Sequence, residues 1–92
     1  MSQITVFYLT HCPYCQNAKK AVEALQMENP AYQSIQLEWV EESQQPKKAE
    51  QYDYYYVPSL FSGKEKLYEA HPGQGYEEIK QHIEKAFQAA IR

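Results

Sequence analysis

The sequence predicts a single α/β domain over residues 1–92, in which four strands form one mixed sheet flanked by three helices in the order β-α-β-α-β-β-α. Two patterns carry this prediction. Near the start, a continuous apolar run leads into a segment with helical periodicity, which is typical of a buried strand followed by a crossover helix. Near the end, apolar residues recur with the spacing of an amphipathic helix, after two short strands separated by a turn.

The first half of the chain is predicted as strand, helix and strand. Residues 4–9 form the buried first strand, and the first helix begins at Pro13 and ends before Asn29. Apolar and polar residues then alternate over 35–39, which predicts a second strand with Trp39 in the core. A helical crossover between the two strands predicts that they pair in parallel.

The second half contains shorter elements and ends on the clearest helix. The elements predicted before that helix are a short polar helix at 43–54, a strand at 56–61, a turn at 62–64, a strand at 66–70 and a loop at 71–75. In the last helix the apolar positions are Tyr76, Ile79, Ile83, Ala86 and Ala90. The two strands around the turn are expected to form a hairpin.

A run of tyrosines precedes the third strand, at Tyr52, Tyr54, Tyr55 and Tyr56. We expect the rings of Tyr52 and Tyr55 to pack the second helix onto the sheet. Tyrosine also supplies rigid, amphipathic contact area. The other rings of this run are therefore candidates for lining a peptide groove.

Composition excludes several classes of protein. A net charge of −3 argues against general nucleic-acid binding. No apolar run approaches the roughly 18 residues that a membrane span needs. The first residues carry neither a basic region nor the cleavage site of a secretory signal. We therefore expect a cytoplasmic monomer without nucleic-acid or membrane partners.

Only two cysteines are present, Cys12 and Cys15, and they bracket the start of the first helix. Helix N-termini carry partial positive charge and unpaired N–H groups, so they stabilise a thiolate at Cys12. Cys15 lies one turn further on, on the apolar face. These positions predict that Cys12 attacks a target disulfide and that Cys15 then resolves the mixed disulfide.

Two neighbours of the cysteines are candidate modulators of this chemistry. No acidic residue occurs in residues 1–22, whereas His11, Lys19 and Lys20 do, so the region is predicted to be locally positive. His11 is a candidate for holding the thiolate or shuttling a proton, and an ordinary exposed loop residue is the alternative. Lys19 is a candidate for the same electrostatic role, whereas Lys20 is predicted to be a solvated surface residue.

Three alternative roles compete for the cysteine pair. A structural zinc site needs a second half, which His11, His71 and His82 do not supply in a recognisable pattern, so no metal ligand is predicted. A copper-chaperone type of domain also begins with a strand, a Cys-x-x-Cys pair and a helix, but its element order is β-α-β-β-α-β. Free cysteines are also often simply buried. In a cytosolic chain with a βαβ pattern, this spacing favours redox chemistry.

The segment Cys12-Pro13-Tyr14-Cys15, directly after a buried strand, resembles the active site of dithiol glutaredoxins of the thioredoxin-like superfamily. Val57-Pro58 before a strand resembles the second motif of that family. The resemblance implies a thioredoxin-like fold and a cis peptide bond before Pro58, next to Cys12. It also implies a substrate-binding role for Pro13, Tyr14, Val57, Pro58, Gly73 and Gln74.

The resemblance implies a thiol–disulfide oxidoreductase that acts on disulfide-containing proteins. Its electron donor would be glutathione or a flavin enzyme of the thioredoxin-reductase type, and no cofactor would be bound tightly. Glutaredoxins bind glutathione through three positions that differ here, at Leu9, Tyr56 and the loop 73–75. These differences predict that the protein uses glutathione less well than a typical glutaredoxin. The alternative from another class is a protein that binds a metal or an iron–sulfur cluster through the same cysteines.

Overall fold

The computed structural model describes residues 3–91, so Met1, Ser2 and Arg92 of the predicted domain lie outside the described part. The elements in chain order are β1 (Gln3–Tyr8), α1 (Pro13–Glu28), a 3-10 turn (Pro30–Ser34), β2 (Gln36–Glu41), α2 (Pro46–Ala49), β3 (Ser59–Ser62), β4 (Glu65–Glu69) and α3 (Tyr76–Ala90). The predicted element order is confirmed. The 3-10 turn after α1 was not predicted.

The four strands form one mixed sheet in the order β2-β1-β3-β4. β1 pairs in parallel with β2 and antiparallel with β3, so that Val6 lies between Trp39 and Leu60. β3 and β4 form the predicted antiparallel hairpin, whose turn places Gly63 at a φ of 60°. Because β1 is an interior strand, residues 4–7 are all buried, as the unbroken apolar run predicted.

The two faces of the sheet are covered unequally. α1 and α3 pack together on one face, over Ile4 and Val6, and Tyr32 closes that core against Phe87. The opposite face carries a smaller cluster around Phe7 and its neighbours on adjacent strands. Side chains of β1 alternate between the two clusters, as the two-residue period of a strand requires. In residues 3–91 no helix is long and apolar enough to span a membrane.

The smaller cluster corrects the prediction for the second helix and the tyrosine run. α2 covers only Pro46–Ala49 and is therefore shorter than the helix predicted at 43–54. None of its residues is fully buried, so packing against the rest of the protein does not stabilise a longer helix. Tyr52 and Tyr54 pack on Phe7, with ring centroids 4.7 and 5.0 Å away. The prediction for Tyr55 was wrong, because its side chain is 91% exposed and Tyr54 takes the packing position instead.

Trp39 also differs from the prediction. It lies on β2, the edge strand of the sheet, and is half-buried rather than enclosed in the core. Its ring meets the Tyr8 ring edge-on, with centroids 5.8 Å apart. An edge strand has a neighbouring strand on one side only. The Trp39 side chain is therefore covered on one side and borders a cleft on the other, although the alternating pattern predicted a core residue.

Candidate active site

Cys12 is the N-cap residue of α1, with an extended backbone at φ −85° and ψ 121°. Its carbonyl accepts the first helical hydrogen bond from the Gln16 N–H at 3.0 Å, and Pro13 occupies the first turn. The Cys12 side chain makes no capping hydrogen bond to this helix end. The half-buried Cys12 sulfur therefore lies where the unpaired N–H groups and the helix dipole favour negative charge.

Cys15 lies one turn further into α1 and is 4% exposed. Burial raises the pKa of its thiol to about 12, and the charge and hydrogen bonding of Cys12 push in the same direction. The Leu9 N–H donates to the Cys15 sulfur at 3.5 Å and opposes this rise. Both cysteines are free thiols. Cys15 is thus the more buried of the two thiols, as the sequence predicted.

The Val57–Pro58 peptide bond is cis, which confirms the prediction, and Pro58 is buried. The Val57 carbonyl oxygen lies 3.8 Å from the Cys12 sulfur, which donates to it. Among the hydrogen bonds of residues 3–91, the Val57 N–H has no acceptor. The structure therefore brings a backbone segment with an unused donor next to the exposed cysteine.

The loop before α3 also reaches the cysteine motif. The Gly73 N–H donates to the Tyr14 hydroxyl at 2.8 Å, across 59 residues of sequence. The Gln74 side-chain oxygen accepts from the Tyr68 hydroxyl at 2.7 Å and from the His71 N–H at 3.0 Å. Gly73 and Gln74 were predicted to bind substrate. In the structure these polar groups bond within the protein, and Gly73 contacts the motif through Tyr14.

The prediction of a locally positive site was incomplete, because the last residue of β2 and the residue after it bring two acids to the site. Glu41 accepts hydrogen bonds from the Ser43 N–H at 2.7 Å and from the Thr10 hydroxyl at 3.3 Å. These bonds, Ser43 foremost, hold the pKa of Glu41 below its usual value. The charge of Glu42 contributes to the raised pKa of Cys15. Parallel strands end at the same edge of a sheet. Since β1 and β2 were predicted to be parallel, this rule could have placed Glu41 and Glu42 beside the cysteines from the sequence.

Two clefts flank the cysteine motif. The larger, about 460 Å³, adjoins Cys15 and is lined by Tyr8, Leu9, Thr10, Gln16, Lys19 and Trp39. The smaller, about 360 Å³, adjoins Cys12 and is lined by Leu9, Thr10, His11, Glu41 and Ser43. The candidate modulators Lys19 and His11 therefore lie on different sides of the motif. Trp39 and Glu41 are among the lining residues that the sequence analysis did not predict at the site.

Within residues 3–91, no group of three or more His, Cys, Asp or Glu side chains is arranged to hold a metal ion. The cysteine pair on its own could supply two sulfur ligands. Full coordination of a metal at Cys12 and Cys15 would therefore need ligands from another molecule.

Comparison with known proteins agrees with the fold. The sequence profile of the glutathione S-transferase N-terminal domain matches residues 9–89. The chain is similar in structure to thioredoxin 1 from Thermosipho africanus TCF52B, with a TM-score of 0.61, 14% identity, and coverage of 98% of this chain and 99% of that one. It is also similar to a malarial protein, with a TM-score of 0.62, 17% identity, and coverage of 94% and 97%.

A third similar structure is a mutant thioredoxin from Halobacterium salinarum NRC-1, with a TM-score of 0.58, 23% identity, and coverage of 92% of this chain and 74% of that one. No curated protein sequence matches the chain. At these identities the structural similarities show the fold alone. They confirm the predicted thioredoxin-like architecture.

Proposed function

The chain belongs to the glutathione S-transferase N-terminal domain family, and from that premise we propose that it is a thiol–disulfide oxidoreductase of the glutaredoxin type. One observation carries the proposal. The half-buried Cys12 sulfur lies at the start of α1 beside the Val57 carbonyl, and a second thiol, Cys15, is buried one turn behind it. A transferase that activates a bound thiol has no need of a second cysteine there, whereas disulfide exchange does.

The reaction proceeds in two exchanges. The Cys12 thiolate attacks one sulfur of the substrate disulfide, a Cys12–substrate disulfide forms, and the other substrate sulfur leaves as a thiolate. Cys15 then attacks the Cys12 sulfur, which releases the second substrate thiol and leaves a Cys12–Cys15 disulfide. The Cys15 proton passes to the leaving sulfur or to solvent. The substrate has gained two electrons and the protein has lost them.

The environment of Cys15 supports this order of events. The thiol of Cys15 is held protonated first by burial and then by Cys12, through charge and hydrogen bonding. When Cys12 enters a mixed disulfide, its negative charge is gone and its sulfur becomes a poorer acceptor for the Cys15 S–H, while the Leu9 N–H still points at the Cys15 sulfur. The pKa of Cys15 should then fall. Cys15 is thus activated at the step that needs it and is protected before that step.

The cis-proline segment provides the substrate contact. The Val57 N–H is unused among the described residues and the Val57 carbonyl faces Cys12, so an extended substrate backbone can pair there as an added strand. Pro13, Tyr14 and Pro58 complete the surface around the sulfur. We assign Gly73 and Gln74 a supporting role, since their polar groups hold the loop against Tyr14 and Tyr68.

The donor that returns electrons to the Cys12–Cys15 disulfide is proposed to be glutathione. The matched family takes its name from that tripeptide, and the larger cleft carries a cation, Lys19, that suits its carboxylates. Leu9 stands where glutaredoxins usually have a base, so the interaction should be weaker than in a typical member. We further propose a cytoplasmic monomer that acts on disulfide-containing proteins and holds no tight cofactor.

The test is a reduction assay with two donor systems. Insulin disulfides and a glutathione mixed disulfide are offered to the protein, with electrons supplied by glutathione and its reductase or by a thioredoxin reductase. Turnover with the glutathione system, absent in Cys12→Ser, is the expected result. Turnover with the flavin enzyme alone would reassign the donor. No turnover with either, together with a coloured protein after purification without oxygen, would favour a metal or iron–sulfur binding function.

A further inference from the structure

Two exposed aromatic side chains adjoin the candidate active site. Within residues 3–91, the large apolar or aromatic side chains that stand exposed are Met27, Tyr55, Tyr56 and Ile91. Tyr55 is 91% exposed and Tyr56 is 48% exposed. They directly precede Val57, whose carbonyl lies 3.8 Å from the Cys12 sulfur. Rings so exposed bury little area on folding, so that area remains available to a partner.

The backbone under these rings is held in place by Glu69 at the end of β4. One Glu69 oxygen accepts hydrogen bonds from the Tyr55 N–H at 2.6 Å and from the Tyr56 N–H at 2.7 Å. The other oxygen pairs with Lys66 at 2.7 Å. The Tyr56 carbonyl in turn accepts from the Ser59 hydroxyl. The rings therefore project from a braced segment, and a braced segment loses little conformational entropy when a partner binds.

We propose that Tyr55 and Tyr56 form a docking ridge for an extended polypeptide substrate, on which an apolar side chain near the substrate's disulfide cysteine rests. This inference depends on the proposed function, because it names the class of substrate for the same site. The unused Val57 N–H favours a substrate that pairs through its backbone. Tyrosine rings on a braced backbone are the kind of residue that dominates binding energy in protein interfaces.

The ridge distinguishes a polypeptide from glutathione. Consecutive Cα atoms are about 3.8 Å apart, so the Cα atoms of Tyr56 and Tyr55 lie within about 4 and 8 Å of that of Val57. Substrate side chains two or three positions from the reacting cysteine reach that distance. Glutathione has one residue on either side of its cysteine and no apolar side chain to place on the ridge. The two substrates should therefore respond differently when the rings are removed.

The experiment compares the Tyr55→Ala/Tyr56→Ala double variant with the wild-type protein on two disulfides. One is a ten-residue peptide disulfide with phenylalanine two residues from its cysteine, and the other is bis(2-hydroxyethyl) disulfide, which has no peptide. KM for the peptide should rise about tenfold. The kcat/KM for the small disulfide should change less than about twofold. Met27→Ala is the matched control, since Met27 is 84% exposed but lies 15 residues along the chain from Cys12, about 22 Å at helical rise.

A second peptide, with serine in place of phenylalanine, sharpens the test. Its KM with the wild-type protein should be about as high as the KM of the phenylalanine peptide with the double variant. The double variant should have about the same KM for both peptides. Equal losses on the peptide and on the small disulfide, or an unchanged peptide KM, would overturn the ridge. Failure of the proposed function would look different, because the wild-type protein would then turn over neither disulfide.

Discussion

The two sulfurs of the site lie one helical turn apart and face opposite environments. Cys12 is half-buried, lies at the start of α1 and faces the Val57 backbone, whose carbonyl accepts the Cys12 S–H. Cys15 is enclosed, receives one N–H from Leu9 and has a pKa raised to about 12 by burial. The clefts beside them also differ in charge, with Glu41 next to Cys12 and Lys19 next to Cys15. The differences in burial and in position on α1 support the proposal that Cys12 attacks and Cys15 resolves, whereas the two cleft charges act in the opposite direction.

The largest expected effect separates the two cysteines directly. Cys15→Ser should stop dithiol turnover yet leave Cys12 able to attack, so a stable Cys12–substrate disulfide should accumulate. Intact-protein mass spectrometry after mixing with a disulfide substrate measures that adduct, and Cys12→Ser should show none. An adduct in Cys12→Ser but not in Cys15→Ser would reverse the assigned roles.

A second prediction concerns the rate of alkylation. With a pKa of about 12 in place of 9.0, Cys15 carries about a thousandfold less thiolate near neutral pH than an unperturbed thiol. Iodoacetamide at pH 7.5 should therefore modify Cys12 alone on the timescale of minutes. Labelling of Cys15 should increase as the pH rises toward 12, because the raised pKa delays its ionisation. Peptide mapping resolves the two sites, and comparable labelling at pH 7.5 would contradict the asymmetry.

The lysine beside Cys15 should have a moderate effect on the donor. Lys19→Ala should lower kcat/KM for glutathione about two- to fivefold at low ionic strength, because one exposed cation in the cleft is lost. Lys20→Ala removes the same charge from the next position and should lower kcat/KM for glutathione less. Leu9→Lys should raise kcat/KM for glutathione several-fold by adding a cation to the same cleft. Equal effects of Lys19→Ala and Lys20→Ala would show that only net charge matters.

The smallest effect belongs to the acid beside Cys12. Glu41→Gln removes a negative charge from the Cys12 cleft, so reaction with anionic disulfides such as oxidised glutathione should speed up about twofold and respond less to salt. Because the pKa of Glu41 is lowered, its carboxylate stays ionised and the effect should be constant from pH 6 to 8. Glu23→Gln is the matched control on an exposed part of α1. Equal effects of Glu41→Gln and Glu23→Gln would show that the position of Glu41 beside Cys12 does not matter.

Local sequence patterns were sufficient to predict those features that depend on the periodicity of a single helix or strand. The apolar run of β1, the start of α1 at Pro13 and the amphipathic pattern of α3 were predicted within a residue or two. The cysteine asymmetry followed from the same reasoning, since the N-terminus and the apolar face of one helix define both positions. The cis bond before Pro58 came from a resemblance to a known motif, and the structure confirms it.

The sequence by itself thus determined the fold class and the position of both cysteines at the start of α1. The tertiary structure alone decided what surrounds that pair. Glu41 lies beside Cys12 because two parallel strands end at one edge, and Trp39 borders a cleft because β2 is the edge strand. Tyr54 is packed and Tyr55 exposed because the Phe7 cluster, together with Glu69, orients that segment. Each of these outcomes depends on contacts between residues distant in sequence, whose positions local periodicity does not encode.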